Sequence, residues 1–124
     1  MGIRLVAGAA LLALSASDVS AQNAPSVAGT YCGTWASGFV WQMSLQQNGS
    51  NVSASINGKT KDGAQFSGSG SGTLTGAQIT MNATFSRGAG AFSGKVSGSA
   101  ISAAFSRTDP NAPKRRDTAR FTRC

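Results

Sequence analysis

The sequence predicts an all-β protein, an eight-stranded antiparallel up-and-down barrel closed by a disulfide between its first and last strands. Large apolar residues alternate with small or polar residues along most of the chain. This two-residue period is typical of strands with one buried face. Short turns rich in Gly, Asn and Ser separate the alternating runs, as they do in hairpins. The two cysteines, Cys32 and Cys124, bracket nearly the whole alternating region.

The first residues have the features of a secretory signal peptide. Arg4 precedes an apolar run over residues 5–14, and the small residues at 19–21 suit a cleavage site. A membrane-spanning helix needs about 20 apolar residues, so we expect no transmembrane segment after signal cleavage and a periplasmic or secreted protein. The predicted organisation is a signal peptide over 1–21, an N-terminal extension over 22–28 and a barrel domain over 29–124.

The alternation defines the strands in chain order. It is clearest where Phe39, Trp41, Met43 and Leu45 occupy odd positions among mostly polar neighbours. Counting the runs gives eight strands, at 29–36, 39–47, 51–58, 64–74, 78–86, 91–97, 100–107 and 117–124. Sequential strands joined by short loops favour a meander. Eight strands close into a barrel that its own side chains fill or that holds one small ligand.

The aromatic residues of the strands are predicted to be packed core rather than a ligand cage, because a narrow barrel has little further room. Gly68, Gly70 and Gly72 on the fourth strand leave two possibilities open. They either create internal space or let the strand bend at a barrel corner. The expected core aromatics are Phe39, Trp41, Phe66, Phe85, Phe92, Phe105 and Phe121.

The positions of the cysteines agree with closure of the barrel. In an even-stranded meander the first and last strands are adjacent and antiparallel. Cys32 and Cys124 both fall in the polar phase of their strands, opposite to Tyr31 and Phe121. An even cysteine count in an exported protein favours a disulfide. Two cysteines without histidine cannot fill a tetrahedral zinc site, so we expect no metal.

A direct pairing of the two cysteines also predicts a register for the seam. Trp35 would then face Phe121, and Gly33 would face Arg123. This arrangement sets apolar residues against apolar residues, which a register slipped by one residue would destroy.

Gly33-Thr34-Trp35, with Arg123 on the last strand, resembles the G-x-W…Arg signature of the calycin superfamily, which includes the lipocalins and avidins. The resemblance implies a small secreted bacterial barrel in which Trp35 plugs one end and Arg123 packs over its ring. The chain lacks the lipocalin helix, and Ser37 stands where avidins have a biotin-contacting Asn. The resemblance therefore implies the fold and its closure but no particular ligand.

The titratable residues argue against catalysis. The chain contains four acidic residues, all of them Asp, and no His. General acid–base catalysis needs a group that titrates near neutrality or a pair of carboxylates. The serines have no base beside them in the sequence, and the disulfide uses both cysteines. We expect a non-enzymatic protein with no catalytic residues and no cofactor.

Positive charge is concentrated in alternate loops. The chain carries eleven Lys and Arg residues and a net charge of +7. In a meander barrel the loops after strands one, three, five and seven share one end, which we call the basic end. The predicted loops at the other end contain no charged residue. Seven cations lie in or beside the loops of the basic end: Lys59, Lys61, Arg87, Arg107, Lys114, Arg115 and Arg116.

The basic end predicts a binding surface for an anionic partner, either an anionic polymer or a lipid surface. The calycin resemblance makes it the open end of the barrel. The alternative is that these charges only keep the loops solvated. Nucleic acid is disfavoured, because no aromatic residue is interleaved with the basic run at 114–116.

A different class of function is also compatible with the sequence. Small exported bacterial barrels of this shape include protease inhibitors, so the chain is alternatively a periplasmic protein-interaction module. An inhibitor would contact its target through a stiff exposed segment. The candidates are Gln22–Ala28 and the loop Asp109–Pro113.

Overall fold

The computed structural model describes residues 26–86, 88–108 and 116–124. Its strands form one closed antiparallel barrel in which each strand pairs with its sequence neighbours and the last pairs with the first. The predicted all-β class and eight-stranded up-and-down order are confirmed. The predicted signal peptide lies outside the described residues. The strands are β1 (Gly29–Thr34), β2 (Val40–Asn48), β3 (Asn51–Lys59), β4 (Gln65–Thr75), β5 (Gln78–Phe85), β6 (Gly88–Ser97), β7 (Ala100–Arg107) and β8 (Arg116–Arg123).

The period-two pattern separates an apolar interior from a polar outer wall. On β2, Trp41, Met43 and Leu45 are buried while their neighbours are exposed. The neighbouring strand β3 repeats this pattern with Val52, Ala54 and Ile56. These side chains join one hydrophobic cluster with the inward residues of the other strands. Within the described ranges, no helix has the length and apolar character needed to cross a membrane.

Aromatic rings occupy the part of the interior beneath the basic end. The ring centroids of Trp35 and Trp41 lie 4.9 Å apart, and those of Trp35 and Phe121 lie 5.5 Å apart. Phe92 and Phe105 also contact the Trp35 ring. Toward the other end the buried side chains are mainly aliphatic: Met43, Leu45, Val52, Leu74, Ile79, Met81 and Ile101.

Glycines on the inner wall make room for these rings. Gly68 lies directly opposite Phe85, and a Cβ atom at Gly68 would lie 2.3 Å from Phe85 Cδ1. Gly33 and Phe121 form a second directly opposed pair across the β1–β8 seam. An aromatic ring that packs over a glycine in this way fixes the register of the two paired strands. The β4 glycine Gly68 therefore accommodates a ring, as the packed-core prediction requires.

The Cys32–Cys124 disulfide is confirmed, with a Cα–Cα distance of 5.7 Å. The bond joins β1 to the residue that follows β8, and no free cysteine occurs in the described chain. Both residues lie in the outward phase of the seam, as the alternation predicts.

The predicted register of this seam was wrong by two residues. Cys32 lies opposite Thr122, and Gly33 lies opposite Phe121 rather than Arg123. The disulfide is therefore diagonal, and the backbone N–H of Cys124 donates to Thr30 O at 3.1 Å. A direct and a diagonal pair both lie within the span of a disulfide. Cysteine phase alone therefore cannot distinguish the two registers, whereas the fit of Phe121 over Gly33 does.

The predicted stacking of Arg123 on Trp35 was also wrong. The Arg123 guanidinium carbon lies 5.0 Å from the centroid of the Tyr31 ring. Its Nη1 donates to Ala28 O at 3.0 Å. The two-residue shift sets Arg123 opposite Tyr31, whereas Trp35 lies four residues, roughly 13 Å of extended chain, toward the basic end. Arg123 and Trp35 thus close opposite ends of the barrel.

Candidate functional site

The basic end is built by the loops that the meander order predicts. Four of the seven predicted cations lie in the described residues, at the edges of these loops: Lys59, Lys61, Arg107 and Arg116. Arg87, Lys114 and Arg115 lie outside the described residues. The turns at the other end of the barrel, at 49–50, 76–77 and 98–99, contain no charged residue. The topology therefore separates the charged loops from the uncharged ones.

The loop over residues 35–39 crosses the basic end in a fixed conformation. Trp35 N–H donates to Phe39 O at 2.7 Å, and Gly38 N–H donates to Trp35 O at 2.8 Å. Gly38 has a φ of 101°, which L side chains rarely adopt. Ala36 N–H donates to Thr118 O at 2.9 Å, which fastens the loop to β8.

Asp117 provides a second attachment between this loop and β8. Its carboxylate accepts hydrogen bonds from Ser37 N–H at 3.2 Å and from the Ser37 hydroxyl. It also accepts a bond from Thr118 N–H at 3.1 Å. This acidic residue of the basic end is thus engaged in holding the loop, whereas Asp62 is exposed in the turn after β3.

Trp35 fills the space beneath the loop. Its side chain is 3% exposed, and its ring packs among aromatic side chains. The indole N–H has no hydrogen-bond partner among the described residues. The expectation that the basic end is the open end of the barrel was therefore wrong. The G-x-W triplet lies at the carboxyl end of β1, which is at the basic end of the barrel. Its Trp therefore closes the basic end.

The turn between β3 and β4 places two lysines beside the 35–39 loop. Thr60 organises this turn, because its Oγ1 accepts from Ala64 N–H at 3.1 Å and its carbonyl accepts from Gly63 N–H at 2.9 Å. Lys59 lies opposite Val40 on β2. The aliphatic part of Lys61 lies against Gly38, where a Cβ atom would approach Lys61 Cγ to 3.2 Å.

Two apolar side chains are exposed at this edge, a feature that the sequence interpretation missed. Phe39 is 39% exposed, and Val40 is 45% exposed. Phe39 shares the odd-numbered phase of the β2 core residues, and so it was predicted to be core. It precedes the first paired residue of β2, however, and its ring lies over the rim against Phe66, at a centroid distance of 5.9 Å. The assignment of Phe39 to the core was wrong for that reason.

Two shallow grooves lie on the outer wall rather than inside the barrel. One, of about 520 Å³, crosses β6 to β8 and includes Lys95, Arg116 and Arg120. The other, of about 530 Å³, lies on β2 to β4 and is lined by uncharged residues such as Gln46 and Ser53. Neither groove enters the aromatic interior.

The segments proposed for an inhibitor are only partly described. Val27 is fully buried, and its N–H donates to Gln47 Oε1 at 2.8 Å. The end of the 22–28 extension therefore packs onto the barrel, whereas residues 22–25 and the 109–113 loop lie outside the described residues. No group of three or more His, Cys, Asp or Glu that could hold a metal occurs in the described part of the chain.

Comparison with protein-family models and with curated proteins finds no match. Among solved structures, the chain is similar to EF1p2_mFAP2b bound to DFHBI, with a TM-score of 0.63 and 14% identity over 79% of this chain and 94% of that one. It is also similar to a de novo designed fluorescence-activating β-barrel, with a TM-score of 0.59 and 18% identity over 85% of this chain and 97% of that one. At these identities the likeness shows a shared barrel fold.

Proposed function

We propose that this chain is an exported, non-catalytic binding protein whose basic end engages an anionic ligand or surface. The observation that carries the proposal is that the topology gathers the charged loops at one end of the barrel. The cations Lys59, Lys61, Arg107 and Arg116 lie at one end, and the turns at the other end are uncharged. A surface on which positive charge is gathered in this way attracts anions and accelerates their association.

A binding role, rather than catalysis, suits the residues available. The chain has no His and no Glu, so general acid–base chemistry near neutrality has few candidates. Asp117, the acid nearest the loop, is committed to Ser37. Structural similarity to a barrel that binds DFHBI also supports a binding role for this fold.

Packing of the interior favours a partner that binds from outside. Trp35, Trp41 and Phe92 are each almost fully buried beneath the basic end. Near the basic end, glycine positions that face the interior are covered by rings, as at Gly68 and Phe85. A partner therefore meets the loops and their cations rather than the barrel axis.

Salt-dependent retention on heparin tests this proposal. We expect the protein to bind and to elute at raised salt, because exposed charges are screened as ionic strength increases. Replacing Lys114, Arg115 and Arg116 by Ser should lower the salt needed for elution. It should leave stability within about 0.5 kcal/mol, because Arg116 is exposed at the start of β8 and substitutions of exposed residues seldom cost more.

Equal elution of the triple variant and the unmodified protein would contradict the proposal. The basic end would then be a solvated rim, and the protease-inhibitor alternative would become the working hypothesis. Truncation of residues 22–26, which leaves the buried Val27 in place, followed by an inhibition assay against a panel of proteases would test that alternative.

A further inference from the structure

Phe39 and Val40, which we call the apolar tip, are adjacent residues at the edge of the basic end. They are the exposed large hydrophobic side chains of the described residues, at 39% and 45% exposure. Elsewhere the outer wall of β2 carries polar side chains, including Gln42, Ser44 and Gln46. Single exposed apolar side chains are common on protein surfaces, so the significance of Phe39 and Val40 depends on their adjacency and on the residues around them.

Three contacts hold the apolar tip in place. The Phe39 carbonyl accepts the Trp35 N–H, and the Phe39 ring packs on Phe66 at 5.9 Å. Phe66 in turn contacts Phe85 at 5.7 Å, which links the tip to the aromatic interior. Val40 is the first paired residue of β2. A partner can therefore bury these side chains without first ordering a loop, which lowers the entropy cost of binding.

Two lysines flank the apolar tip. Lys59 lies directly across the β2–β3 ladder from Val40, and Lys61 lies along Gly38, the residue before Phe39. Both lysine side chains are exposed. An apolar centre bordered by long cationic side chains matches a lipid–water interface, where apolar groups enter the acyl boundary and lysines reach the headgroups.

We propose that the apolar tip inserts into a lipid surface that carries anionic headgroups, while Lys59 and Lys61 contact those headgroups. This inference rests on the proposed function and names the partner class of the basic end. A soluble polyanion would satisfy the lysines but would leave Phe39 and Val40 in water. Nucleic acid is a poorer fit, because the Phe39 ring is engaged with Phe66 rather than free to stack on a base.

Cosedimentation of the full chain with lipid vesicles tests the inference. We expect binding to vesicles of phosphatidylcholine mixed with phosphatidylglycerol, and little binding to phosphatidylcholine alone, because the lysines require anionic headgroups. Phe39→Ser should reduce partitioning on the order of ten-fold, since its apolar area no longer enters the membrane. Val40→Thr should reduce it by a smaller factor and keeps the shape and strand preference of the residue.

Heparin retention serves as the second readout, and Lys95→Gln, on the outer wall, serves as the charge control. The inference holds if both tip variants lose vesicle binding but elute from heparin at the same salt as the unmodified protein. The Lys95→Gln variant should keep both its vesicle binding and its heparin elution. Vesicle binding that survives both tip substitutions would overturn it, because attraction would then be purely electrostatic. Heparin retention without vesicle binding would also overturn it while leaving the proposed function standing. If the unmodified protein binds neither heparin nor vesicles, the inference and the proposed function are both overturned.

Discussion

Arg123 shows how one side chain closes an end of the barrel. Its guanidinium lies over the Tyr31 ring, and its Nη1 donates to the carbonyl of Ala28, just before β1. A cation over an aromatic face and a hydrogen bond to the backbone act together, so the residue joins β8 to the start of β1. The prediction that Arg123 lies on the last strand is confirmed. Which aromatic ring it contacts depends on the register of the β1–β8 seam, and the sequence did not determine that register.

Replacing Arg123 by Ala should lower the free energy of unfolding by about 1 kcal/mol, because the cation–π contact and the packing of its aliphatic stem are lost. Urea denaturation followed by tryptophan fluorescence would measure the change. Arg120→Ala, on the outward phase of the same strand, is the matched control and should change stability little. Equal effects of the two substitutions would contradict the assigned contact.

The disulfide is the second single-residue feature of the seam. Titration of the denatured, unreduced protein should find no free thiol, and reduction should release those of Cys32 and Cys124. Substituting both cysteines by Ser should cost about 2–5 kcal/mol, because the bond restricts a long loop of the unfolded chain. Free thiols in the protein before reduction would show that the seam is closed by backbone pairing alone.

At the scale of the strands, alternation was enough to predict the element order, and β2 and β3 follow it strictly. Element ends were less predictable. β1 stops at Thr34 because Trp35 enters the loop, and β6 starts at Gly88, before the predicted residue 91. Period two specifies which face a residue occupies but not where pairing begins. The same limit explains why Phe39, in phase with the core, lies outside it.

The glycines of β4 provide a test of the packing at this scale. A Cβ atom at Gly68 would lie 2.3 Å from Phe85 Cδ1, so Gly68→Ala should destabilise the protein by about 1–3 kcal/mol. At Gly70 the nearest atom to a Cβ would be Asn82 O, at 3.3 Å. Gly70→Ala should therefore stay within about 1 kcal/mol of the parent. Thermal melts of the two variants would compare them, and equal destabilisation would argue against the ring-over-glycine contact.

At the scale of the whole molecule, the meander order gathers charge that is dispersed along the sequence. Lys59 and Arg116 are far apart in the chain, yet the topology places both at the basic end. The sequence predicted this grouping because, in an up-and-down barrel, alternate loops lie at the same end whatever their length or composition. It did not predict the plug formed by Trp35 at the basic end or the exposed Phe39 and Val40, because both depend on the path of the 35–39 loop.

The central claim is that the position of the charges, rather than their number, produces binding. Two double variants test it directly, since each removes two positive charges: Lys59→Gln with Lys61→Gln at the basic end, and Lys95→Gln with Arg120→Gln on the outer wall. We predict that the first pair elutes from heparin at clearly lower salt than the second, which should stay near the unmodified protein. Identical elution of the two double variants would show that net charge alone governs retention, and would contradict a binding surface at the basic end.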